Sequence, residues 1–140
     1  MIRVVYDTNI VVSAALKPGS IPAFLLALAL AQQVRLCLSP LIWEEYRTVL
    51  KRPKFGLSAQ AVERLLQEMH HTALLVHPAQ QLHMVPHEPD NRFLECTQEA
   101  HEAYLVTGNT RHFPSSEFQG VRILGPAAFA AEYASLQGPL

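Results

Sequence analysis

The chain opens on an apolar run over residues 2–6, broken only by Arg3, rich in β-branched side chains and without polar alternation. Such a run predicts a parallel strand covered on both faces. Asp7-Thr8-Asn9 ends it, and a short helix is expected through Leu16, before a loop at Lys17-Pro18-Gly19-Ser20. Residues 22–33 form a stretch that is apolar almost all round, which predicts a helix covered by other helices or by a partner subunit. Residues 34–38 read as a second strand. Ser39 then stands as an N-cap with Pro40 at the first helical position, predicting a helix to about Lys51. Arg52-Pro53-Lys54-Phe55-Gly56 breaks it, and Ser58 caps an amphipathic helix that ends near His71. Residues 73–76 suit a short strand, while Pro78, Pro86 and Pro89 exclude a long helix there. Asp90 reads as the cap of a helix over residues 91–102, with Phe93, Leu94, Thr97 and Ala100 as its buried stripe. Strands follow over residues 104–107 and 121–124, and Pro126 starts a closing helix carrying Phe129 and Tyr133. Strands alternating with helices at this spacing predict an α/β fold: a three-layer α/β/α sandwich around a short, mostly parallel sheet. In such sheets, sites lie beyond the carboxyl ends of the strands.

Composition narrows the picture. At 140 residues the chain suits a single domain, and a hydrophobic fraction of 49% allows a real core. Charged residues make up 16% and the formal net charge is −1, so any nucleic-acid contact must come from a local patch. Cys37 and Cys96 form no metal-binding spacing and read as reduced core thiols of a cytoplasmic protein. The most lipid-like stretch, residues 21–31, is far short of the roughly 20 residues that span a bilayer.

Four features carry chemistry. Asp7 stands at the carboxyl end of the first strand, where a turn aspartate capping the next helix is the plain alternative. On the helix after Pro40, Leu41, Ile42, Val49 and Leu50 mark the buried side at roughly 100° per residue, and Glu45 falls within it while Glu44 falls opposite. A carboxylate at the margin of an apolar face needs an arginine or a bound cation, because burying an unpaired charge costs several kcal/mol. Asp90, at a helix N-terminus, is held in the ionised state that a metal requires. Thr107-Gly108-Asn109 brings a hydroxyl and an amide to the end of another buried strand, as ordinary turns also do.

Taken in order, these features resemble the PIN-domain family, and its small bacterial toxin-like branch in particular. The resemblance runs through Val4-Val5-Tyr6-Asp7-Thr8-Asn9, Leu38-Ser39-Pro40 with Glu44-Glu45, Glu88-Pro89-Asp90-Asn91-Arg92-Phe93-Leu94, Leu105-Val106-Thr107-Gly108-Asn109 with Arg111-His112-Phe113, and Val121-Arg122-Ile123-Leu124. It implies a metal-dependent endoribonuclease, the toxin of a toxin–antitoxin pair with a cognate antitoxin, while the apolar helix over residues 22–33 suggests a homodimer or antitoxin-binding surface. Carried over by position, it makes Asp7, Glu45 and Asp90 the acids that hold Mg²⁺ or Mn²⁺. Asn109 stands where the family has a fourth acid and becomes an auxiliary ligand or water-positioning group. Thr8, Asn9, Thr107, Arg111 and His112 become substrate-binding residues. Two further positions are depleted of acid, His87 and Ala103, and Glu88 is a candidate substitute ligand. Hard cations want several oxygen ligands, so the loss of one carboxylate weakens the site and admits the alternative of an inactive RNA- or partner-binding domain.

Arg47, Lys51, Arg52 and Lys54 form a basic cluster that suits either RNA phosphates or a solvated helix end. Seven histidines raise zinc, but His83 and His87 are separated by Pro86, which spoils a shared helix face, and the spacing argues against it. A phosphoryl-transfer enzyme with Asp7 as nucleophile needs a lysine near the phosphate, and none follows Lys54.

Overall fold

The structure is a computed structural model and describes residues 1–113 and 116–137. Its strands are β1 (Arg3–Tyr6), β2 (Arg35–Leu38), β3 (Leu74–Leu75), β4 (Ala103–Val106), β5 (Glu117–Phe118) and β6 (Val121–Leu124). They form one sheet in the order β3-β2-β1-β4-β6-β5, parallel throughout except for the β5–β6 pair. The helices are α1 (Thr8–Leu16), α2 (Ile21–Leu30), α3 (Pro40–Leu50), α4 (Ala59–Thr72), α5 (Glu88–Ala100) and α6 (Pro126–Leu136). They cover the sheet in the three-layer arrangement that the alternation of patterns predicts. Val4, Val5, Leu36, Cys37, Leu38, Leu105 and Val106 are fully buried in the central strands.

Topology decides where a site can lie. From β1 the chain steps outward to β2 and β3, and it later returns to β4 on the other flank of β1. The carboxyl ends of β1 and β4 therefore border the switch point, where an open parallel sheet leaves a crevice. Both strand tips are pinned: the Asp7 amide donates to the Val106 carbonyl (2.9 Å) and the Thr107 amide to the Leu124 carbonyl (3.0 Å).

Several elements differ from expectation, each for a physical reason. The second helix ends at Leu30, because Gln32 takes a positive φ of 58° and no helix continues through it. That helix is only half covered: Leu25, Leu26, Leu28 and Ala29 are buried, whereas Ile21 and Phe24 are 45% and 50% exposed. Leu41 is not on the buried side of α3 but 59% exposed; Tyr46 takes its place beside Ile42, Val49 and Leu50. Strand β5 was not expected. It folds back on β6 through Gln119 and Gly120, whose φ values of 47° and 85° suit a two-residue hairpin turn. Finally, α5 begins before Asp90: His87 is its N-cap, Glu88 and Pro89 open it, and Asp90 sits within the first turn rather than capping it. Proline at the second helical position costs nothing there, since its missing N–H would have no partner.

Residues 76–87 carry no regular secondary structure, and side chains of α5 hold them in place. Glu99 accepts the Ala79 amide (2.7 Å), Glu95 the Leu82 amide (2.6 Å), and Arg92 donates to the Leu82 carbonyl (3.0 Å). Asn91, fully buried, accepts the Met84 and Val85 amides (2.8 and 3.0 Å) and donates to the Val85 carbonyl (3.0 Å). This polar face of α5 substitutes for a strand ladder. No single helix among the described residues is long and apolar enough to cross a membrane.

Candidate functional site

A cleft of about 380 Å³ opens at the switch point, and Asp7, Thr8, Asn9, Glu45, His87, Asp90, Asn109 and His112 line it together with Arg52 and Phe55. Asp7, Glu45, Asp90 and Asn109, which come from four separate segments, thus share one wall-to-wall space. Thr107, Arg111 and Glu88 do not line it.

Asp7 is at the N-cap position of α1, yet its side chain makes no capping hydrogen bond. Its Oδ2 instead accepts the Thr107 hydroxyl at 2.6 Å, and that hydroxyl oxygen accepts the Asn109 amide at 3.0 Å. Thr107 therefore acts behind the cleft, fixing the Asp7 carboxylate and the turn that carries Asn109. Asn9 contributes similarly, its Oδ1 accepting the Gly108 amide at 3.2 Å. Burial raises the Asp7 carboxyl above its ordinary pKa; the Thr107 hydroxyl and the nearby amides of Thr8 and Asn9 pull it down, and repulsion from Asp90 pushes it up further. Among the described residues no lysine or arginine pairs with Asp7, and the hydroxyl oxygen of its neighbour Thr8 is buried without a hydrogen-bond partner.

Glu45 owes its place to its neighbour. Tyr46, fully buried on α3, donates its hydroxyl to the Tyr6 carbonyl at the tip of β1, one residue before Asp7. The same ring stacks on Phe93 of α5 at 6.4 Å, one turn after Asp90. One tyrosine thus ties together the strand and the two helices that bear the acids. Glu45 itself is half-buried and, among the described residues, has neither a hydrogen-bond nor an ion-pair partner.

Asp90 is 3% exposed, and its Oδ2 meets two imidazoles: His112 Nδ1 at 3.1 Å and His87 Nδ1 at 3.3 Å. Neither contact was visible in the sequence, where histidine was judged by pairs of close spacing. Glu88, the candidate substitute ligand, is turned away to Arg92 (2.9 Å), Asn91 (3.2 Å) and His83 (3.7 Å). Ala103 is buried in β4.

The basic cluster is sorted by its contacts. Arg47 and Lys51 both pair with Glu63, at 3.2 and 2.6 Å, and Lys54 lies over the Phe55 ring. Arg52 is the member that lines the cleft, exposed and with no ion pair among the described residues. Arg111 is also exposed and lines an adjoining cleft of about 520 Å³ with Met84, His87, His112 and Phe113.

The residues fit a divalent cation. A buried carboxylate facing a second carboxylate, with no lysine or arginine paired to either among the described residues, is stabilised by a positive ion, and Glu45 and the Asn109 amide supply further oxygen donors. What the arrangement can do chemically is hold such an ion at the floor of a cleft whose rim carries the Arg52 guanidinium.

Comparison with known proteins bears on the fold and the family. The solved structure of FitAB bound to the IR36 DNA fragment matches the fold with a TM-score of 0.56 at 18% identity, covering 88% of this chain and 94% of that one. The uncharacterized protein MJ1680 of Methanocaldococcus jannaschii is 26% identical over 111 residues, 77% of this chain and 71% of its own length. The family model for the PIN domain matches residues 3–111, a span that starts at β1 and reaches past Asn109. That span holds strands β1 to β4 with Asp7, Glu45, Asp90 and Asn109, and the chain belongs to the PIN-domain family.

Proposed function

We propose that the protein is a metal-dependent ribonuclease that hydrolyses RNA phosphodiester bonds, acting as the toxin of a toxin–antitoxin pair. The observation that carries this reading is the buried Asp7 carboxylate, which shares a cleft with Asp90, Glu45 and Asn109 and has no lysine or arginine counter-ion among the described residues. In this reading Asp7, Glu45 and Asp90 hold Mg²⁺ or Mn²⁺, and the Asn109 amide adds a neutral oxygen ligand or positions water. A divalent ion in such a site supplies an activated water and neutralises charge on the phosphate under attack. Thr107 holds the Asp7 carboxylate in place through its hydroxyl, and Thr8 and Asn9 form part of the cleft wall that would face the substrate backbone. Arg52, and Arg111 from the adjoining cleft, meet substrate phosphates; His112 acts through Asp90.

The toxin role draws on family membership and on the half-exposed face of α2, where Ile21 and Phe24 offer an apolar surface to an antitoxin or a second copy of the chain. The FitAB structure contains DNA, so both nucleic acids belong in the assay.

The test is cleavage of single-stranded RNA and DNA by purified protein, with chelator, Mg²⁺ or Mn²⁺, beside Asp7→Asn. Metal-dependent RNA cleavage lost in the variant supports the reading. Cleavage that persists in Asp7→Asn overturns the site assignment, and RNA binding without cleavage under any metal favours the non-catalytic binding module.

A further inference from the structure

The two imidazoles at Asp90 supply no ligand to a site built from oxygen donors alone. His87 Nδ1 and His112 Nδ1 approach the same carboxylate oxygen, at 3.3 and 3.1 Å, and their rings are tilted toward each other with centroids 5.8 Å apart. One ligand atom from each of the three residues lies within 4.8 Å of the other two. Donor atoms bound to one ion at about 2.0–2.2 Å stand roughly 3–3.5 Å apart, so the two N···O separations already match a shared ion. Asp90 is buried, and among the described residues its side chain has no ion-pair partner other than these imidazoles.

We infer that His87, Asp90 and His112 form a divalent-metal site with two nitrogen ligands, which selects a later first-row transition ion such as Co²⁺ or Zn²⁺ over Mg²⁺. Mg²⁺ is hard and favours oxygen and water, whereas imidazole suits the later transition ions. His87 comes from the end of the segment that α5 holds, Asp90 from the first turn of α5, and His112 from the turn after β4, so the fold and not the sequence spacing assembles the site. His87 is exposed and His112 half-buried, which leaves the site open on one side for water or a phosphate oxygen. The inference rests on the nuclease reading only in sharing Asp90 with it.

The experiment uses tag-free, chelator-stripped full-length protein. It is titrated with Co²⁺ followed by visible absorption, with Zn²⁺ by calorimetry, and with Mg²⁺ by calorimetry and by competition against bound Co²⁺. The expected result is stoichiometric Co²⁺ and Zn²⁺ binding that millimolar Mg²⁺ does not displace. His87→Ala and His112→Ala should each lose transition-ion affinity by more than about tenfold, outer partners of ligands alone being worth roughly 10–100-fold, with Mg²⁺ affinity unchanged. His83→Ala, beside the site but outside it, should leave all three unchanged. Mg²⁺ and Co²⁺ affinities falling together in the histidine variants would mean that the imidazoles merely orient Asp90, and would overturn the inference. Unaltered Co²⁺ binding in His87→Ala, whose exposed side chain is removable without loss of fold, would do the same. RNA cleavage is scored separately: its absence with an intact Co²⁺ site counts against the nuclease reading alone, and Mg²⁺-dependent cleavage without transition-ion preference counts against this inference alone.

Discussion

At the scale of single residues, Asp7 is a carboxyl group buried against its own charge. Its folded-state pKa is raised, first by burial and then by Asp90, above that of the unfolded chain. The protonated form is therefore the one favoured by folding. Its contribution to stability is present below the unfolded pKa and is lost as pH rises through the folded one. In chelator, the melting temperature of Asp7→Asn should thus exceed that of the wild type increasingly as pH rises through that window, and the gap should then level off. Adding Mg²⁺ at neutral pH should raise the wild-type melting temperature and raise that of the variant less. Cleavage by the variant should fall by at least roughly 100-fold. A wild type that metal does not stabilise would count against a cation at Asp7.

At the scale of elements, α5 does two jobs from two faces of one helix. Its apolar stripe of Phe93, Leu94, Thr97 and Ala100 packs inward, while Asn91, Arg92, Glu95 and Glu99 hold residues 76–87. Asn91→Ala would strand two backbone amides and a carbonyl, at a cost of about 2–4 kcal/mol, readable as a lower urea midpoint. Because His87 ends the same segment, the substitution should also weaken Co²⁺ binding more than Mg²⁺ binding. Tyr46→Phe removes the hydroxyl that anchors α3 to β1 and should cost about 1 kcal/mol. Its larger effect is expected on catalysis, through a Glu45 no longer fixed beside Asp7, and a kcat loss without a comparable loss of RNA affinity would display it.

At the scale of the whole molecule, a net charge of −1 leaves binding to RNA dependent on a few cations. The fold spends Arg47 and Lys51 on Glu63 and leaves Arg52 at the cleft. Arg52→Glu should weaken RNA binding and reduce the slope of log affinity against log salt by about 1, with no change in the urea midpoint. Lys51→Gln, by contrast, should disturb the α3–α4 contact more than the salt slope. A salt slope unchanged in Arg52→Glu would remove this residue from the substrate path.

The period of the apolar residues alone determined the strand–helix alternation, the parallel sheet and the placing of Asp7 and Asn109 at strand tips, because burial on both faces leaves no other pattern for β1 and β4. The apolar margin of α3 singled out Glu45 for the same reason, although Leu41 was misplaced: at a helix's first turn the periodic stripe runs past the edge of what neighbours cover. Convergence was another matter. That Tyr46 ties α3 to β1, that α5 opens two residues before Asp90, and that His87 and His112 meet at one carboxylate all depend on how segments dock, and docking leaves no local signature in a chain. Residue type at a strand end is written along the sequence; which distant side chains share a cleft is decided only when the sheet closes its switch point.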